Sequence, residues 1–469
     1  MTAIRGTSWP EALEAQAQAM RLRRVGSRPE CLARAKRALC VERSKIALKS
    51  AAGKAVREPN FYPSDSKARA FARAGHAVGS PGAAKFNARI GRMGPIVTKR
   101  LGQCHRHVYN ADKSFADSSR ICRRHESRVM IQDRNPSSRP RCRSLMGLRI
   151  IGTGSYVPDA VVTNDHLHAR LGFDSDWIVK RTGILERRHA LPQQATSDLC
   201  LEASQRCIQR AGIDRKQIDL IVLATFTPDM SFPSTACLVQ DRLGVNCPAV
   251  EIETACAGFM YALITGAAYV LSGASDMALI VGGDCNSRIL NPNDIKTYPL
   301  FGDGAGAALL TRGRPDQGII SYSMGSDGSG GPMLSRPACG SRCPPTPALL
   351  AEGKHYMHMD GRAVFRWATN ILTDSIKDVL AHSNMQAGDV DLYIPHQANI
   401  RIINAAIDVL HIDRQRVFNN LDRYGNTSAG SIPLALDEAI DEGRLKDGQT
   451  VMLSGFGAGL AWGTALMRW

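Results

Sequence analysis

The sequence has 469 residues, 44% of them hydrophobic, and a formal net charge of +16, which is length and apolar content enough for a large core and excludes fibrous classes. The charge is unevenly divided: residues 1–145 carry +21 and the remainder −5, so any attraction to polyanions belongs to the front segment alone. No run of about 18 wholly apolar residues and no apolar signal core at the N-terminus is found, which points to a cytoplasmic protein without a membrane partner, and thirteen cysteines without regular spacing fit reduced thiols.

Residues 1–145 are rich in Arg, Ala and Ser and hold no sustained apolar run, so burial cannot offset the entropy of ordering them, and the segment is expected to be disordered or not translated. A transit peptide or a nucleic-acid-binding tail shares this composition, but no aromatic-interleaved motif supports nucleic acid as a partner. Cys104/His107 and Cys122/His125 have C-x-x-H spacing; lacking a hairpin or amphipathic helix to hold them, they are not expected to bind metal.

From Met146 onward the pattern changes. Leu148 to Ile151 alternates as a first strand, so that a start at Met146 is expected to leave a complete domain. Asp174-Ser175-Asp176 offers helix caps, Ser197 to Arg210 is a helix ended by Gly212, Asp219 to Thr225 a short apolar strand, and Pro233 to Leu243 a helix. Val250 to Glu253 is a strand, Phe259 to Leu271 a helix apolar on every face and therefore buried, and Met277 to Gly283 a buried strand. After a Gly turn at Gly302 the order repeats: helix from Ala363 to His382, strand from Val390 to Pro395, helix from Asn399 to Leu410, and strands from Val451 and Ala461. Two such halves, 146–317 and 318–469, predict layered α/β architecture with helices between sheets. Gly152-Thr153-Gly154 and the Gly302 turn lack the rest of a dinucleotide loop, so no nucleotide cofactor is expected.

Cys256 stands where a strand passes into the buried helix, a place where amide N–H groups and the helix dipole favour a thiolate, and its neighbours Ala255, Ala257 and Gly258 leave a substrate room. A lone helix cysteine is most often a small buried hydrophobe. His396 follows a buried strand in Pro395-His396-Gln397-Ala398-Asn399, and Asn426 lies in the turn Tyr424-Gly425-Asn426-Thr427-Ser428; each alone has an ordinary structural explanation, but with Cys256 they compose a Cys–His–Asn set.

Over 146–469 the sequence resembles the β-ketoacyl-acyl carrier protein synthase III family, through IIGTGSYVP, DWIVKRTGI, TACAGF, LFGDGAGA, PHQAN, YGNTSAGSIP and GFGAGLAWG in that order. The resemblance implies the thiolase fold and a homodimer. Cys256 would attack an acyl-CoA, usually acetyl-CoA, and the acyl group would then be condensed with the enolate that decarboxylation generates from malonyl-acyl carrier protein. His396 and Asn426 would donate hydrogen bonds to the malonyl thioester oxygen, and the backbone amides of Cys256 and Ala458 would form a second oxyanion hole. By the same resemblance Trp177 and Arg181 would bind CoA, with Lys296 beside Ile295 replacing a family arginine; Gln397 and Arg401 would meet the carrier protein, and Phe232 would reach the partner's acyl tunnel. CoA and carrier-protein phosphopantetheine are substrates here, and no resident cofactor or metal is implied.

The rival is a related condensing enzyme of a quinolone or polyketide pathway with a different primer. A binding protein without turnover would have lost Cys, His or Asn, and all three are present. The Pro-rich loop from Arg336 to Pro347, holding Cys339 and Cys343, has no family counterpart.

Overall fold

The computed structural model describes residues 142–469; the expected disorder of the front segment, its C-x-x-H pairs and any nucleic-acid role fall on 1–141, outside the described residues. The first strand, Arg143–Met146 (β1), precedes the expected domain start. It pairs antiparallel with Gly318–Ser326, Leu145 opposite Ile319, and Leu145 packs on the central core. The folded domain therefore begins upstream of Met146. The run RSLM is too short and too polar at its start to display strand periodicity, and only its partner strand reveals it.

Leu148–Tyr156 (β2), Leu220–Ala224 (β3), Ala249–Ile252 (β4), Met277–Asp284 (β5) and Gly304–Arg312 (β6) form one sheet, ordered β2-β6-β5-β3-β4. Gly318–Ser326 (β7), Leu392–Pro395 (β8), Thr450–Gly457 (β9) and Ala461–Arg468 (β10) join β1 in the other, ordered β1-β7-β10-β9-β8. β3 runs parallel to both neighbours, and its LIVLA sequence is buried throughout, as a parallel strand covered on both faces must be. β8 is parallel to β9.

The principal helices are Asn164–Leu171 (α1), Ser175–Thr182 (α2), Thr196–Ala211 (α3), Thr235–Leu243 (α4), Gly258–Ser272 (α5), Gly361–Ser383 (α6), Ile400–Leu410 (α7) and Ser431–Asp441 (α8). α2 starts where Asp174 accepts from the Trp177 amide and ends at Gly183, whose φ of 83° suits glycine. α5 packs on β3 and β5 on one side and on β9 and β10 on the other; α8 likewise bridges β2 and β6 to β8 and β9. With α3 and α4 outside the first sheet and α6 and α7 outside the second, the layers run α-β-α-β-α.

The central core joins Phe259, Met260 and Leu263 of α5 to Val222, Ile280, Ile432 and Leu453. Full burial of each such side chain contributes about 1.5–3 kcal/mol, which explains why α5 is apolar on every face. Ala255–Ser272 is the one described stretch with membrane-span length and hydropathy, and it is 67% buried within the protein as this middle-layer helix. α8 is a helix that was not among the elements predicted from the sequence.

Candidate active site

Cys256 lies in a one-turn 3-10 helix, Ala255–Ala257, between β4 and α5, and is 5% exposed. The small residues around it permit close approach: a Cβ added at Gly457 would lie 2.7 Å from the Cys256 amide nitrogen, so β9 can pass Cys256 only with glycine there. The thiol donates to Ser428 Oγ at 3.4 Å. Ser428 in turn donates to Asn286 Oδ1 at 3.1 Å, and Asn286 Nδ2 to the Gly302 carbonyl at 2.7 Å. Burial pushes the thiol up to about 12, and the Asp284 carboxylate adds to this, while the thiol's hydrogen bonds with Ser428, its own backbone and Asn426 pull the other way. The resting group is thus a thiol, and the thiolate expected from the helix N-terminus is outweighed by desolvation.

His396 is placed by the end of β8, where its amide donates to the Ser454 carbonyl at 2.8 Å. Its Nδ1 is 2.5 Å from Ser431 Oγ at the start of α8, and its ring stands edge-on to Phe456, with centroids 5.3 Å apart. Burial depresses the imidazole to about 3, so it is neutral at physiological pH. Asn426 is fixed through its backbone, which donates to Leu300 at 2.9 Å and accepts from Gly302 at 3.0 Å. Its Oδ1 accepts from the Ser428 amide at 2.8 Å, so Nδ2 is the atom through which the side chain acts on the Cys256 sulfur. Residues 170 positions apart in the sequence, Cys256 and Asn426, line one cavity of about 100 Å³ together with His396, Phe301, Phe365 and Asn399. Cys256 also borders a wider cleft of about 1040 Å³, shared with Met230, Arg288, Arg336, Cys339 and Ala458.

Two buried charges hold this arrangement. Asp284, at the end of β5, accepts from Thr225, Phe226 and Thr227 on the β3 exit and from the Ala429 amide beside Ser428; burial raises its carboxyl to about 6. Arg187 is fully buried and donates to Val162, Asn164 and Pro299 oxygens. Burial lowers it to about 10, still cationic at neutral pH, and its Cβ would touch side chains added at Gly302 or Gly425, the turn that carries Asn426.

The structure gathers some of the remaining expected residues near the narrow cavity. Trp177 is 39% exposed, with the Arg181 guanidinium 5.8 Å from its ring centroid. Asn399 Nδ2 donates to the Arg181 carbonyl at 3.1 Å while its Oδ1 caps α7 at Arg401, so α2 and the PHQAN loop are joined. Arg401 is exposed and lies over the Phe365 ring at 5.5 Å. Lys296 and Ile295 are exposed on a turn whose Tyr298 and Phe301 pack with Ile178 of α2. Phe232 is 85% exposed, and Ala458 borders the wide cleft.

Gln397 must be corrected. It is 1% exposed, its amide nitrogen Nε2 donates to the Pro395 carbonyl at 2.7 Å, and its Oε1 accepts from the Asn420 amide. It braces the loop from inside and presents nothing to a carrier protein. Sequence reasoning also missed Ser428 and Ser431, although both fall within the YGNTSAGSIP motif, and Asp284 and Asn286, polar residues at the end of an apolar strand. Among the described residues no group of three or more His, Cys, Asp or Glu converges as a metal site.

Family profiles described as 3-oxoacyl-[acyl-carrier-protein] synthase III and its C-terminal part match residues 250–328 and 380–469. A β-ketoacyl-[acyl-carrier-protein] synthase III of Rhodopirellula baltica is 54% identical over 344 residues, covering 70% of this chain and 99% of that protein. The enzyme of the same name from Desulfitobacterium hafniense is 44% identical over 326 residues, covering 69% of this chain and 98% of its own. The crystal structure of 3-oxoacyl-[acyl-carrier-protein] synthase III from Aquifex aeolicus superposes with a TM-score of 0.64 at 39% identity, over 69% of this chain and all of that one.

Proposed function

The chain belongs to the 3-oxoacyl-[acyl-carrier-protein] synthase III family, and from that premise we propose that Cys256, His396 and Asn426 are its catalytic residues. It has the thiolase fold and is a condensing acyltransferase that initiates fatty acid synthesis; the specialised quinolone or polyketide alternative is not favoured by relatives this similar. The observation that supports the residue assignment is the single cavity lined by Cys256, His396 and Asn426.

In the first half-reaction the Cys256 sulfur attacks the carbonyl carbon of a short acyl-CoA, acetyl-CoA first. A bond from sulfur to carbonyl carbon forms, the bond to the CoA sulfur breaks, and CoA leaves with a proton as the free thiol. The amides of Cys256 and Ala458 receive the negative charge that passes through the carbonyl oxygen. In the second half-reaction malonyl-acyl carrier protein loses carbon dioxide, and the electrons of the broken C–C bond form an enolate. His396, neutral at working pH, and Asn426 Nδ2 donate to the enolate oxygen. The enolate carbon then attacks the carbonyl carbon of the acyl-cysteine, the bond to the Cys256 sulfur breaks, and the departing thiolate takes up a proton from solvent to restore the resting thiol. All of this uses side chains and backbone amides, without a resident cofactor.

Trp177 and Arg181, with Lys296 on the adjoining turn, suit the adenine and phosphates of CoA by stacking and charge. Arg401 suits the acidic surface of a carrier protein. The exposed Phe232 and the β4 edge, with Val250 40% exposed, suit a homodimer in which Phe232 covers the partner's cleft. A cytoplasmic setting matches these soluble substrates.

Release of carbon dioxide from malonyl-acyl carrier protein tests the assignment. His396→Ala or Asn426→Ala is expected to slow it by about 10²–10³-fold, the effect of one lost oxyanion donor, while acyl transfer from CoA to Cys256 persists. Unchanged decarboxylation in either variant would remove that residue from the mechanism.

A further inference from the structure

We propose that Ser431 is a positioning residue for condensation: its hydroxyl donates to His396 Nδ1 and so holds the imidazole proton on Nε2, the atom left to meet the substrate oxygen. The inference rests on the reading of His396 as a donor to the malonyl thioester. A neutral imidazole carries one N–H, and the nitrogen that keeps it is decided by what the other nitrogen meets.

Ser431 is 1% exposed, and among the described residues His396 Nδ1 is the only hydrogen-bond partner of its Oγ, at 2.5 Å. Two arrangements fit that distance. If Nδ1–H donated to the hydroxyl oxygen, the serine hydrogen would be buried without an acceptor and Nε2 would be a lone pair, which repels a developing oxyanion. If the hydroxyl donates, its hydrogen is satisfied and Nε2–H becomes a donor. Nε2 has no protein partner among the described residues, and His396 lines the cavity shared with Cys256 and Asn426.

The rest of the surroundings leave the choice to this contact. His396 is clamped by its amide bond to Ser454 and by the edge of Phe456, and neither touches a ring nitrogen. Ser431 opens α8, immediately after the turn carrying Asn426. One short segment therefore supplies one oxyanion donor directly and sets the polarity of the other.

The direct test is ¹⁵N NMR of the unaltered protein labelled at histidine, with His396 assigned by substitution. Nε2 protonated and Nδ1 unprotonated at neutral pH is the expected result, and a protonated Nδ1 would overturn the proposal. Kinetics give the second arm. Ser431→Ala is expected to lower condensation about tenfold, the scale of one hydrogen bond, without changing acyl transfer to Cys256, and Ser431→Thr, which keeps a hydroxyl, should recover activity. In a His396→Ala background, where no ring nitrogen is left to position, Ser431→Ala should cost nothing further. Equal loss in both half-reactions, or a further loss in that background, would make Ser431 merely structural and overturn the proposal. If His396→Ala itself left condensation intact, the donor reading of His396 would fail, a result distinct from failure of Ser431 alone.

Discussion

Burial determines the protonation of both ionisable members of the site. Because the Cys256 thiol is pushed up to about 12, its alkylation by iodoacetamide in the absence of substrate should keep accelerating to about pH 9; a plateau near neutrality would reveal a resting thiolate. His396 behaves in the opposite sense. The folded protein keeps it neutral down to about pH 3, whereas an unfolded chain protonates it near pH 6.5. The unfolded state binds more protons in that window, so this contribution to stability is complete above about pH 6.5 and fades as pH falls toward 3. Asp284, raised to about 6, gives a slope of the opposite sign over about pH 4–6, and the difference between wild type and His396→Gln isolates the histidine. Chemical denaturation across pH should show the acid loss flattened in His396→Gln; identical slopes would contradict a buried neutral imidazole. The proposed set Cys256, His396 and Asn426 could be singled out in the sequence because each sits in a distinctive motif. Ser428, Ser431 and Asn286 were not, since a hydroxyl or amide acquires its role only from what the fold sets opposite it. Gln397 misled for the same reason: beside His396 it looked accessible, but the loop turns its amide inward.

At the scale of elements, the site depends on backbones passing close to one another. β9 crosses the Cys256 turn at Gly457, where an added Cβ would also lie 2.9 Å from the Cys256 Cβ. Gly457→Ala should therefore displace Cys256, the proposed nucleophile, and slow its acylation by about 10²-fold, the effect of a shift near 1 Å, while leaving the fold's circular dichroism unchanged. Wild-type acylation in that variant would mean the turn yields freely. The long helices and apolar strands were readable from periodicity; α3, α5 and α6 lie within two residues of their expected ends. β1 and α8 were not, because β1 is four residues long and α8 begins inside a motif dominated by turn-forming residues, with Pro433 in its first turn.

Across the whole molecule, two five-stranded sheets enclose α5 and α8, and the proposed catalytic residues come from the inner edges of these layers. The layered order was legible as a repeat of pattern, whereas the contribution of Arg143–Met146 to the second sheet was not. A chain starting at Met146 rather than Cys142 loses the contacts of Leu145 and of Cys142, which pack on the central and outer cores. It should melt a few degrees lower, reflecting about 1–3 kcal/mol, and equal melting temperatures would make β1 dispensable.

The assignment of Cys256 as nucleophile is tested most directly by intact-protein mass spectrometry after incubation with acetyl-CoA, with and without Cys256→Ala, followed by malonyl-acyl carrier protein. One acetyl group should appear on the wild-type protein alone and be discharged into acetoacetyl-acyl carrier protein. An acetyl adduct that survives Cys256→Ala, or that malonyl-acyl carrier protein does not discharge, would contradict it.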